Sequence, residues 1–328
     1  MDSVTLTAPA WAIGEPIGRN GHHVVFDRFE RTPPRSDDRY DTNFMGACIA
    51  HEFERDLLES NPGFDKATAK GLKASGRSAI YDDDPTFPYK NSEDYFEWVD
   101  LLTAIDRADT QFKMIEIGAG YGRWLANAAA AVKRHKTKRL RAKLIGLESD
   151  QARFAMMMRN CENNGILPSD VELIRAACTP DGNTAFMHVG EAYGNNAWYE
   201  ANVAAQFAAK KVDRLQIEDR FGRRFTVDTM PAIRLASLLQ EPVDFIDMDI
   251  QGAELDVIAP CMEVLDASVK IIHIGTHSLA IDSRIAQLFH LHGWRPRRMF
   301  SCGAVNQTPY GAFQFIDGIQ SWENPRFS

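Results

Sequence analysis

The stretch MIEIGAGYGRW at residues 114–124 constrains this chain more than any other part of it. An apolar run of strand character passes through Glu116 and breaks into glycines at 118, 120 and 122, where an Ala-rich helical pattern begins. Lacking a Cβ, those glycines let bare main-chain N–H groups at a helix start come close to a ligand. A turn of this kind belongs to a sheet whose strands alternate with crossover helices, and the rest of the chain keeps that alternation. The patterning predicts strands at 112–117, 142–147, 170–176, 243–249 and 269–275, with helices at 122–134, 150–164, 231–240 and 252–266. A further helix, IDSRIAQLFHLHG, precedes two strand-like runs, WRPRRMF and GAFQFIDGI.

The fold class expected from this order is α/β: a doubly wound, Rossmann-like, mostly parallel seven-stranded sheet with an antiparallel terminal hairpin and an N-terminal helical extension. Residues 1–42, rich in Pro, Arg and Asp, read as an irregular arm. Met45, Ile49, Phe53 and Leu57 recur at fourfold spacing and predict a helix over 45–57, and DKATAKGLKAS a weaker second one. The turn-rich YDDDPTFPYKN puts the boundary near residue 90, giving an extension or cap at 1–90 and the main domain at 91–328.

A net charge of −8 argues against a broad surface for nucleic acid. Five cysteines without a CxxC spacing suggest neither a zinc knuckle nor a disulfide framework, so a reducing cytoplasm is expected. No basic segment followed by an apolar core opens the sequence, and no run of about 18 apolar residues occurs, so neither export nor a membrane span is expected. Oligomeric state stays open, self-association included. Arg295, Arg297 and Arg298 read as a solvated sheet edge, and His22-His23 and His290-x-His292 as unsuited to metal.

Around the glycine loop, Glu116 sits at a strand end, where it would repel a pyrophosphate but accept hydrogen bonds from a cationic amino acid. Glu148, at the end of the next strand, is placed to take both hydroxyls of a ribose, or to charge a helix start beside Ser149. Ala177 and Cys178, after the third strand, lie by position alone where a purine would rest. Glycines with an acid after the second strand also suit a nicotinamide dinucleotide, which keeps a dehydrogenase as an alternative.

Taken together, EIGAGYG, LIGLESD, NCENNGI, ACTPDGNTAF and VDFIDMDIQGAELDVI come in the order and spacing of the FkbM-type class I S-adenosylmethionine-dependent methyltransferases, which the chain resembles over about residues 110–300. The resemblance implies Glu116, Gly118, Ala119, Gly120 and Gly122 around the methionine moiety of S-adenosylmethionine, and Glu148 with Ser149 on its ribose. Ala177, Cys178 and Asp247 complete the expected cofactor site. The implied acceptor is a hydroxyl of a sugar, glycolipid or polyketide-like small molecule. Many relatives carry Lys where Asp247 stands, Glu where Gln251 stands, and Glu-x-His where this chain has Gly275, Thr276 and His277. Those departures raise a third reading, a module that binds the cofactor without turnover.

An alcohol is about as weak an acid as water, pKa about 15.7, so its proton must leave as the new bond forms. Asp249 and His277, at the ends of the fourth and fifth strands, are the candidate bases, and Glu254 could orient the acceptor. Asp249 and Glu254 could also hold Mg²⁺ or Ca²⁺, although strand alternation does not make Asp247, Asp249 and Glu254 converge and a metal is not favoured. Tyr193, Asn196, Trp198 and Tyr199 have the composition of an acceptor pocket.

Overall fold

The computed structural model describes residues 16–53, 84–90, 92–183, 185–188, 215–218 and 224–327. At its centre is a seven-stranded sheet built from β1 (Gln111–Ile117), β2 (Arg141–Glu148), β3 (Val171–Arg175), β4 (Val243–Met248), β5 (Val269–Thr276), β6 (Arg295–Phe300) and β7 (Gly318–Glu323). Its spatial order is β6-β7-β5-β4-β1-β2-β3. Six strands run in one direction, five of them as parallel neighbours, while β7 lies antiparallel between β5 and β6. The order reverses between β1 and β4, and at such a switch point the loops at the carboxyl ends part to leave a crevice.

Strands buried on both faces send successive apolar side chains to opposite layers. Phe112, Met114, Leu144, Phe245 and Ile271 join one core with helices α1 (Glu93–Arg107) and α2 (Arg123–Lys133). Ile115, Ile145, Ile246 and Ile272 join the other with α4 (Glu254–Ile258), α5 (Met262–Ser268) and α6 (Leu279–Leu291), while α3 (Gln151–Asn163) completes the first layer through Met157. Each such aliphatic or aromatic side chain stabilises the fold by about 1.5–3 kcal/mol on burial. Val25, Phe26, Phe29, Phe44 and Met45 belong to the α1 core, so residues 16–53 lie on the main domain and share its interior.

Three of the expected helices change. Over the first part of the helix expected at 45–57 stands a strip, Cys48–Ala50, in a three-stranded antiparallel sheet with Arg35–Ser36 and Tyr40–Thr42, and helical structure begins only at 51–53. Asn43 Oδ1 accepts hydrogen bonds from the N–H groups of Met45 and Ala47 and Gly46 takes φ +84°, which turns the chain out of any helix there. Met45, Ile49 and Phe53 are buried as the spacing implied, while Leu57 and DKATAKGLKAS fall outside the described residues. The helix at 231–240 shrinks to Leu235–Leu238 because Ala232–Ile233 pairs in parallel with Ala177–Cys178. The helix at 252–266 is split between α4 and α5 by a 3₁₀ turn, Ala259–Cys261, whose Pro260 cannot continue the hydrogen-bond ladder.

The terminal pairing also differs. WRPRRMF supplies β6, but its partner is GIQSWE, which forms β7; GAFQF instead closes a separate hairpin, Val305–Thr308 with Gly311–Gln314. Nor are the arginines all solvated. A bulge between Pro296 and Arg298 shifts the register, and both Arg297 and Arg298 reach the buried carboxylate of Asp100 on α1. Among the described residues, no helix is long and apolar enough to cross a membrane.

Candidate active site

The crevice at the switch point is a cavity of about 280 Å³ between the ends of β1, β4 and β5, the N-terminal half of α1 and the start of β7. The glycine loop forms its floor. Gly118 at φ +81° packs so closely against the main chain after β4 that a Cβ there would lie 1.9 Å from the Asp249 carbonyl oxygen. Gly122 at φ +71° is the N-cap of α2 and offers no side chain to the helix start. Glu116 takes over that role, accepting from the N–H of Leu125 at 2.9 Å and of Trp124 at 3.4 Å while lining the cavity.

Seven carboxyl groups line this space: Glu93, Asp94, Glu97, Glu116, Asp247, Asp249 and Asp317. Arg123, also in the lining, is ion-paired with Asp94. Strand register puts Glu116, Asp247 and His273 side by side on β1, β4 and β5. Burial, then the charge of Asp247, pushes Glu116 well above the usual carboxylate range. Burial raises Asp247 to about 6, and burial with the nearby Asp317 charge raises Glu93 to about 7. Crowding and burial thus push these acids in the direction of keeping a proton. His273 hands its Nδ1 to Asp100 at 2.9 Å. Burial opposes a charge on Asp100, but Arg298, His273 and Arg297 together hold it far below the ordinary range.

At the rim, the His277 imidazole lies between two acids, with Nδ1 3.0 Å from Glu254 and Nε2 3.2 Å from Asp249. Burial favours the neutral ring, yet hydrogen bonds to Asp249 and Glu254 and their charges push it up to about 10. Each nitrogen thus faces a carboxylate, an arrangement that favours a protonated ring. Asp249, with its side chain 55% exposed, lines the cavity and also accepts from Gln251 Nε2 at 2.7 Å. Gln251 reaches it from φ +56°, a left-handed conformation. Glu254 is fully buried, and its Oε1 accepts from the N–H of Gly252 at 2.9 Å and of Ile250 at 3.2 Å. It holds the loop after β4 and does not line the cavity.

Asp249, Glu254 and His277 do bring ligand atoms within 4.8 Å of one another. Within that cluster each ring nitrogen of His277 faces a different acid. A Cβ on Gly275 would touch the Asp249 carboxylate at 3.5 Å, so an acid at 275 would set two carboxylates in contact.

Gly118, Ala119, Gly120, Glu116, Asp247 and Asp249 thus meet at one cavity. Glu148 does not line it: its carboxylate accepts from the N–H of Gly120 and of Asp150, each at 2.7 Å, with the Ser149 hydroxyl at 3.4 Å. Ala177 and Cys178 lie apart as well, and Cys178 packs into the second core. Tyr193, Asn196, Trp198 and Tyr199 fall outside the described residues. Sequence reasoning missed Glu93, Asp94 and Glu97, whose place on one face of α1 looks like solvated helix surface. It also missed His273, although a lone imidazole inside VKIIHIGT was a readable anomaly.

The Methyltransferase FkbM domain profile matches residues 116–296, more than half of the 328-residue chain. The chain belongs to the FkbM methyltransferase family. A Jannaschia sp. (strain CCS1) protein, named a methyltransferase by inference, is 26% identical over 293 residues, covering 87% of this chain and 92% of its own. The crystal structure of methyltransferase FkbM from Methylobacillus flagellatus KT shares 11% identity at a TM-score of 0.39, over 66% of this chain and 45% of that one. The METTL16 methyltransferase domain shares 12% at 0.38, over 87% and 86%. At such scores these two likenesses add nothing to what the strand order itself shows. Membership of the FkbM family removes the dehydrogenase alternative.

Proposed function

We propose that this FkbM-family protein transfers a methyl group from S-adenosylmethionine to a hydroxyl of a small molecule, of the sugar, glycolipid or natural-product kind. The observation that carries the reading is the acid-walled cavity over a glycine floor at the switch point, whose charge suits a cationic cofactor and opposes a pyrophosphate. When bound, the cofactor supplies a methyl group already activated by its sulfonium charge. Gly118 and Gly120 offer a floor free of side chains, and Glu116, fixed by the start of α2, presents its carboxyl group to the methionine end, where a cationic ammonium would favour its ionised form. Glu148 serves the ribose end: an ionised carboxylate has about four acceptor positions, so its present partners leave one for a hydroxyl.

Asp249 takes the acceptor's proton as the carbon–oxygen bond forms. His277 positions it, holding one carboxylate oxygen while Gln251 holds the same atom from the other side of the loop. The remaining oxygen is left for the substrate. Alignment and exclusion of water contribute most of the rate. No metal enters this scheme.

Calorimetric titration of cofactor-stripped protein with S-adenosylmethionine and S-adenosylhomocysteine tests the reading at its root, since absence of binding to either refutes it. Methyl transfer from labelled cofactor into small-molecule extracts of the source cell, with and without EDTA, should mark a product, and Asp249→Ala should abolish labelling while cofactor binding persists. Binding without any transfer would establish the non-catalytic alternative.

A further inference from the structure

The methionine end of the proposed cofactor carries an ammonium and a carboxylate on the same carbon, and the acids of the cavity suit only the ammonium. The N–H groups of the floor are largely spoken for. Gly118 and Ala119 both donate to the Leu147 carbonyl, Gly120 donates to Glu148, and Gly122 donates to the Ala119 carbonyl. At the start of α2, where a carboxylate would ordinarily be received, the N–H groups of Trp124 and Leu125 go to Glu116. A carboxylate entering this cavity finds those main-chain donors engaged, and the side chain suited to it is Arg123, the only permanent cation in the lining.

Arg123 is the first residue of α2, a position where the helix dipole disfavours a positive charge. Helix formation therefore gives no reason for it, and residues that go against a local preference belong at functional positions. Asp94 from α1 pairs with its Nη2, and the Trp124 ring lies 5.2 Å from the guanidinium carbon. Trp124 is set in turn edge-on against Trp98, also at 5.2 Å. The guanidinium is thus oriented by groups from two helices. Asp94 engages Nη2 of a rigid fork that has five N–H donors, and the side chain keeps 29% of its surface exposed, so a second carboxylate can reach it. Glu116 binds the main chain of the two residues that follow Arg123, which makes the acid and the cation neighbours, as the two charges of one amino acid require.

We propose that Arg123 receives the carboxylate of the cofactor's methionine moiety, sharing its fork with Asp94, and so selects a sulfonium that bears a whole amino acid over one that lacks the carboxylate. The inference rests on the methyl-transfer reading, which makes the ligand a sulfonium with an amino-acid tail. It also gives Asp94 a task, that of keeping a cation stationed at an unfavourable helix end.

The test compares S-adenosylmethionine with decarboxylated S-adenosylmethionine by calorimetric titration of the full chain. The decarboxylated molecule keeps the nucleoside, the sulfonium and the ammonium but is the more positive of the two, so acids alone would bind it more tightly. Wild type should prefer S-adenosylmethionine by about tenfold or more, as a charge-assisted contact would give. Arg123→Met should weaken S-adenosylmethionine by about ten- to hundredfold and leave the decarboxylated form within about threefold of wild type, so that the preference disappears or reverses. Arg123→Lys should fall between, since an ammonium lacks the fork, and serves where Arg123→Met does not fold. A wild type that binds the decarboxylated form at least as tightly, or variants that weaken both ligands alike, overturns the assignment and leaves the methyl-transfer reading standing. Failure of the wild type to bind either molecule removes both.

Discussion

Gly118→Ala tests the cavity floor most directly. The new Cβ would lie 1.9 Å from the carbonyl oxygen of Asp249, where ordinary contact begins at 3.4 Å, and the residue must also keep φ +81°. The left-handed conformation costs an L residue about 1–2 kcal/mol. Forcing main chain apart in a packed region adds about 1–3 kcal/mol. The sum, roughly 2–5 kcal/mol, is a large share of the roughly 5–15 kcal/mol by which a domain is stable. At a urea slope near 3 kcal/mol/M, the unfolding midpoint should fall by about 1 M. Gly165→Ala is the control: it has φ +60° but nothing within 4 Å of its Cβ, so only the conformational cost remains. Both variants are unfolded in urea while tryptophan emission is followed, and S-adenosylmethionine affinity is measured on each. Equal losses of stability in the two, with cofactor affinity intact in Gly118→Ala, would refute the close approach of β1 and β4 on which the floor depends.

Asp100→Asn should cost about 3–5 kcal/mol, because Arg298, itself 1% exposed, keeps its charge in the interior without a carboxylate; an unchanged thermal midpoint would refute this. For His277, the folded value of about 10 lies above the ordinary 6.5, so its stabilising effect is complete below pH 6.5 and is lost as pH rises towards 10. The gap in urea midpoint between wild type and His277→Gln should therefore narrow across that window, and a constant gap would count against the clamp. Glu93 is raised from 4.5 to about 7, so it favours folding below pH 4.5 and loses that effect as pH passes 7. Glu93→Gln, which still accepts from the Ile316 and Asp317 N–H groups, should gain stability relative to wild type on going from pH 5 to pH 8.

The parallel strands were legible because their signals are local: an apolar run, a glycine or acid at its end and a helical period afterwards. The same holds for Gly118, Glu116 and Asp249, which lie at the ends of such runs. What escaped depends on contacts between distant segments. GIQSWE is no more strand-like than GAFQF, and only its place between β5 and β6 makes it β7. Arg298 reads as a surface arginine until the bulge turns it onto Asp100, nearly two hundred positions away in sequence. Glu97 looks like the polar side of an amphipathic helix, and no rule of spacing brings it to the same cavity as Asp247. The expected helix failed over 45–50 for the converse reason: fourfold spacing recorded which residues are inside, while the Asn43 turn decided the backbone there.

The strip at Cys48–Ala50 has a consequence for the glycine loop. The Asn164 side chain accepts from the Cys48 N–H at 2.7 Å and donates to its carbonyl at 2.8 Å, so a single amide does for this strip what a neighbouring strand does elsewhere. Just beyond the strip, the ring of Phe53 stacks on Tyr121 of the loop at 5.7 Å. Paired with Tyr40–Thr42 along one edge, held by Asn164 on the other and leaning on the loop through Phe53, the strip braces the cavity floor from outside the main sheet.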